Sequence, residues 1–120
     1  MITQYYLMEQ FKEIIDAYFT NYSSFEKGKV SFECDYGELI FDKRNDDILT
    51  LHSIYIFPQY REKGLCRDIL RYLIDNCSGK FKYFCVQSVL SKILYEYLLR
   101  FEYKSKHFKL VKDGFKYKIE

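Results

Sequence analysis

Nothing in this sequence approaches the roughly 20 consecutive apolar residues that a membrane-spanning helix needs, and 30% of its 120 residues are charged. An integral helical membrane protein is therefore excluded. The opening residues, Met1-Ile2-Thr3-Gln4-Tyr5-Tyr6, meet Glu9, Lys12 and Glu13 too soon for the basic-then-apolar layout of a secretory signal. A cytoplasmic location is the expectation. The four cysteines, Cys34, Cys66, Cys77 and Cys85, lie far apart with no C-x-x-C pair, which speaks against both a zinc site and a disulfide framework. They are expected to be reduced and largely buried. With only His52 and His107 present, a histidine-rich centre is also excluded, and no metal is expected.

What the chain does have is a hydrophobic fraction of 48%, enough for one globular domain over residues 1–120 with a real core. Its net charge of +2 conceals an asymmetry: residues 1–50 carry 5 Lys/Arg against 10 Asp/Glu, whereas residues 51–120 carry 14 against 7. The basic half suits a polyphosphate and the acidic half a cationic acceptor, and both are equally what solvated faces look like. Composition leaves an oligomer, such as a dimer, open.

Hydrophobic periodicity gives the order of elements. Phe11, Ile14, Ile15, Tyr18, Phe19 and Tyr22 form a helical stripe over Glu9–Tyr22, and Ile2–Met8 before it is expected to be a short strand. Lys29–Tyr36 alternates Val30, Phe32 and Cys34 with Ser31 and Glu33, as a half-exposed strand does, and Glu38–Asp42 follows after Gly37. A third strand, Leu49–Phe57, completes an antiparallel meander. Leu65–Cys77 places Leu65, Ile69, Leu70, Leu73, Ile74 and Cys77 on one helical face, with Ser78-Gly79 as its C-cap. Lys80–Gln87 is the next strand, parallel to Leu49–Phe57 because a helix separates the two. Ser88–Tyr103 reads as a further helix. Phe108–Lys112 and Phe115–Ile119 read as a hairpin around Asp113-Gly114. The fold class is α/β with a mixed (α+β) sheet: an antiparallel meander plus one parallel strand pair.

Between the third strand, closed by Pro58, and the helix at Leu65 lies the polar turn Gln59-Tyr60-Arg61-Glu62-Lys63-Gly64. A helix N-terminus offers unpaired N–H groups and a partial positive charge, so this corner is a candidate anion site. Ile54-Tyr55-Ile56-x-Pro58-x-Tyr60-Arg61-x-Lys63-Gly64-x-Cys66 resembles the acyl-CoA signature of the GNAT superfamily, the Gcn5-related N-acetyltransferases. There an apolar strand leads into R/Q-x-x-G-x-G/A. Arg61, Gly64 and Cys66 take the three signature positions, with a small Cys66 where the pattern has Gly or Ala. The order of elements over residues 29–120 is also similar to a GNAT-like N-acyltransferase fold.

The resemblance implies that acetyl-CoA is the co-substrate and a primary amine, small or on a protein, the acceptor. Backbone groups of Tyr55, Ile56 and Phe57 would pair with the pantetheine arm in a gap between the parallel strands. The N–H groups of Glu62, Lys63, Gly64, Leu65, Cys66 and Arg67 would cradle the pyrophosphate, with Arg61 adding a charge or bracing the turn. Ser88-x-x-Ser91-x-x-Leu94-Tyr95-Glu96 is in register with a second family pattern, N-x-x-A-x-x-L-Y-E. That pattern groups Ser88 with the cofactor-binding residues and makes Tyr95 the acid that reprotonates the CoA thiolate. A tyrosine suits the step; a packed aromatic is the other reading of Tyr95. His52 is the candidate base, since an imidazole near pKa 6.5 can take a proton from an ammonium; a structural histidine or a water relay are the alternatives. The lysines of the tail, interleaved with Phe108, Phe115 and Tyr117, also fit a two-faced hairpin, so nucleic-acid binding is not the expected role.

Overall fold

The computed structural model describes residues 4–77 and 79–87, and the backbone of 108–111 and 114–118. Helix α1 spans Gln4–Thr20. Leu7, Phe11, Ile14, Ile15 and Tyr18 recur at three- and four-residue steps and are buried, so the apolar stripe reaches further towards the N-terminus than the Glu9 start expected. The strand expected at Ile2–Met8 is thereby corrected from Gln4 onward: Leu7 lies one helical turn before Phe11, and a strand there would break that face. The helix stops where the Asn21 side chain and backbone N–H both donate to the Ala17 carbonyl, each at 3.0 Å.

Strands β1 (Gly28–Cys34), β2 (Gly37–Lys43) and β3 (Ile48–Ile56) form the expected antiparallel meander. Asp35 in the β1–β2 turn is held to α1 by both ends of the Gln10 amide, at 2.9 and 3.0 Å. Helix α2 covers Leu65–Cys77, as the periodicity predicts. Gly79, at φ +80°, supplies the left-handed residue that ends it; Ser78 lies outside the described residues. Strand β4 is shorter than expected, Tyr83–Val86, and runs parallel to β3. Strands β5 (Phe108–Val111) and β6 (Gly114–Lys118) form a hairpin. Its pairing closes on Val111↔Gly114, one step from the register an Asp113-Gly114 turn would impose. On its other side β6 pairs with β4, from Tyr83↔Lys118 to Val86↔Phe115.

The result is one six-stranded mixed sheet in the order β1-β2-β3-β4-β6-β5. Helices α1 and α2 lie on the same face, joined by a 2.7 Å hydrogen bond from the Tyr72 hydroxyl to Asp16. Beneath them sits the core, Leu39, Phe41, Leu49, Leu51, Phe84 and Val86 from the sheet against Phe11, Ile15, Tyr18, Ile69 and Leu73. Tyr18 stacks on Phe41 with ring centroids 4.0 Å apart. No helix among the described residues is long and apolar enough to cross a membrane.

Candidate functional site

Strand β3 is paired differently along its two edges. Towards β2 the ladder runs to its end: Phe57, just past the strand, still donates its N–H to the Tyr36 carbonyl at 2.9 Å. That bond fixes the phase. In an antiparallel pair alternate residues bond to the neighbour, so Tyr55 and Phe57 face β2, while the N–H and C=O of Ile54 and Ile56 face the other way.

Towards β4 the pairing lasts only from Ile48↔Tyr83 to Leu51↔Val86, with a last bond from the Gln87 N–H to the Leu51 carbonyl at 3.0 Å. Beyond it β3 continues to Ile56, and among the described residues no strand flanks this edge. The change of partner coincides with a bulge. Ile40 pairs with Ser53 and the next residue, Phe41, with Leu51, which leaves His52 as the extra residue on β3. The bulge shifts the phase by one, so that Leu51 faces β4 before it and Ile54 and Ile56 face the same side after it. His52 Nδ1 lies 3.1 Å from Gln87 Oε1, bridging the strands at the end of their described pairing.

Past β3 a short 3₁₀ turn, Pro58–Tyr60, leads to Arg61. The Arg61 side chain folds back: Nε donates to the Ile56 carbonyl at 2.8 Å, and the guanidinium lies 5.2 Å from the Tyr55 ring centroid. That bond ties Arg61 to the end of β3. Two residues then take left-handed conformations, Glu62 at φ +63° and Gly64 at φ +77°. Gly64 does so freely; Glu62 does so against its Cβ. The first helical bond of α2 runs from the Asp68 N–H to the Gly64 carbonyl, 3.1 Å, so the N–H groups of Leu65, Cys66 and Arg67 precede the ladder and are the orphan donors of the helix start. The side chains of Glu62, Lys63 and Arg67 are exposed. Burial pushes the Cys66 thiol up to about 11, with Arg61 pulling the other way. Cys66 therefore stays a neutral, compact side chain at the helix start.

The backbone implied for the pantetheine arm, Tyr55, Ile56 and Phe57, is thus redistributed. The Tyr55 backbone and the Phe57 N–H are engaged with β2, the Ile56 carbonyl with Arg61, and the groups aimed at the opening are the Ile56 N–H and both backbone groups of Ile54. Sequence reasoning did not single out Ile54, because which residues of β3 face which edge is set by its pairing with β2. It also missed Gln87, for which a polar residue closing the apolar run of Tyr83–Val86 was the available signal. Ser88 and Tyr95 lie outside the described residues. The described residues hold no group of three or more His, Cys, Asp or Glu arranged for a metal ion. The sequence matches no family model and no curated protein.

Proposed function

We propose that this chain is a GNAT-like N-acyltransferase that takes acyl-CoA, acetyl-CoA in the simplest case, into the opening between β3 and β4 and passes the acyl group to a primary amine. The observation that supports the reading is the outward-turned backbone of Ile54 and Ile56 on the β4 side of β3, beyond Leu51↔Val86, the last pair with β4 among the described residues, beside a turn that delivers the orphan N–H groups of α2. An extended amide-bearing arm needs donors and acceptors spaced like a strand, and Ile54 and Ile56 offer them. A pyrophosphate needs converging donors without the entropy cost of long side chains, which a left-handed turn into a helix start supplies. In the reaction the amine nitrogen forms a bond to the thioester carbonyl carbon and the carbon–sulfur bond breaks. A β3 N–H facing the opening is placed to donate to the carbonyl oxygen as charge develops there. The amine's proton goes to His52 or to water. Tyr95 is assigned the return of a proton to the thiolate on the resemblance alone. A second reading, binding of CoA without turnover, is favoured by the contact of His52 with Gln87, which gives the histidine a structural task.

Thermal unfolding with and without acetyl-CoA tests the site. Ligand at about 100 times its dissociation constant stabilises by roughly 2.7 kcal/mol, a rise of several degrees in a domain of this size. Gly64→Glu puts a side chain and a negative charge at a φ of +77°; it should lower the unliganded melting temperature and abolish the ligand-induced rise. A wild-type protein that melts at the same temperature with and without acetyl-CoA sinks the proposal. With binding established, transfer to an amine acceptor that Tyr95→Phe slows separates an enzyme from a binder.

A further inference from the structure

Among the described residues strand β1 is the end strand of the sheet, and its outer edge is self-complementary. The phase set at Phe57 carries across β2: Glu38 bonds towards β3, so in the pair Glu33↔Glu38 the backbone groups of Glu33 turn outward, and those of Ser31 and Lys29 with them. All three side chains are exposed, while Val30 and Phe32, on the helix side, are only half-buried. The strand contains no proline and no bulge to blunt it, and an unprotected edge is a template for another strand. Set a second copy antiparallel about Ser31. Ser31 then meets Ser31, Lys29 meets Glu33 and Glu33 meets Lys29 of the second copy, each pair exchanging both backbone hydrogen bonds. On the other face Val30 meets Phe32. Every outward backbone group finds a partner, both charges find opposites, and the half-buried apolar pair is covered.

We infer that β1 pairs with β1 of a second copy of this chain across a two-fold axis through Ser31, making one continuous sheet. The interface is isologous and closes on itself. With β2 and β3 between it and the opening beside β4, it leaves that opening accessible and stands independently of the proposed activity.

The charges permit a test in which folding and association move in opposite directions. Glu33 sits opposite Glu38 within its own chain, a like-charge pair that disfavours the monomer's sheet. Glu33→Lys relieves it and should leave the fold intact or raise its melting temperature. In the dimer the same change brings two positive side chains face to face at each of the two symmetry-related contacts with Lys29, and should raise the dimer dissociation constant about tenfold. Adding Lys29→Glu exchanges the two signs and should restore dimerisation, while its new like-charge pairing with Asp42 in the same chain lowers the melting temperature. Ser31→Pro removes only an outward-facing N–H and should give a folded monomer. Sedimentation equilibrium across a wide concentration range reads the mass, and circular dichroism checks the fold. A wild-type protein that stays monomeric throughout overturns the inference. So does a dimer indifferent to Glu33→Lys, or one that the double exchange fails to restore.

Discussion

The two edges of β3 are built from one strand and do opposite things. The edge facing β2 is laddered to its end and carried past it by the Phe57 to Tyr36 bond. Among the described residues the edge facing β4 is paired over its first half only, and a single extra residue, His52, sits just past the last of those pairs. A strand buried on the helix face by Leu49, Leu51 and Ile56 is held by the core and by β2 whatever lies along its other edge. The firm edge is what the proposed use of the other one depends on.

The largest expected effect is at the closed edge. A Cβ built on Gly37 would fall 2.1 Å from the Tyr55 carbonyl oxygen and 3.1 Å from the Ile56 Cα, and backbone atoms cannot swing aside as a flexible side chain can. Gly37→Ala should cost about 3 kcal/mol and lower the melting temperature by about 10 °C. Because it displaces Tyr55 and Ile56, it should also weaken the proposed acyl-CoA binding from across the strand. A variant that melts like the wild type would show that the two strands do not approach so closely, and the contrast between edges would fail with it.

The turn beyond the open edge is where sequence and structure part company. Helix α2 was legible to its end residues, since its apolar stripe depends on nothing but its own period. The meander and the parallel pair were legible because alternation and a connecting helix constrain them. The start of α1 was misread although Leu7, Phe11 and Ile15 continue the stripe, because Ile2-Thr3 followed by tyrosines has β character of its own. The bulge at His52 was not legible at all: it exists only relative to β2. Nor was the left-handed Glu62, since nothing about a glutamate announces φ +63°.

That residue gives the next effect in size. An L-residue in the left-handed region is disfavoured by about 1 kcal/mol, so Glu62→Gly should stabilise the fold by a few tenths to about 1 kcal/mol, the upper end trimmed by the freedom glycine gains when unfolded. It also removes a carboxylate from a turn proposed to hold a polyanion, so acyl-CoA affinity should rise. Calorimetry of both quantities distinguishes outcomes. A loss of stability would show that the strain assigned to this turn is not there.

The smallest effect concerns the seam between α1 and α2, which keeps the closed side closed. The hydrogen bond to Asp16, followed by burial, raises the Tyr72 phenol to about 12 from its ordinary 10. A phenol is neutral below its pKa, so a raised value means that the fold favours the protonated form. The stabilisation is complete below pH 10 and is lost as pH climbs from 10 through 12. Tyr72→Phe should therefore lower stability at neutral pH by about 0.5 kcal/mol, modest because the bond is partly solvated, and the gap between the two proteins should close over that window. Cys66 and Cys77, raised to about 11 by burial, add an alkaline loss of the same sign in both proteins, so it cancels in the difference. Urea unfolding of the pair at about pH 8, 10 and 11.5 reads it directly. A gap that stays constant with pH would mean that the hydroxyl's contribution does not run through its proton, and that α1 and α2 are joined by packing alone.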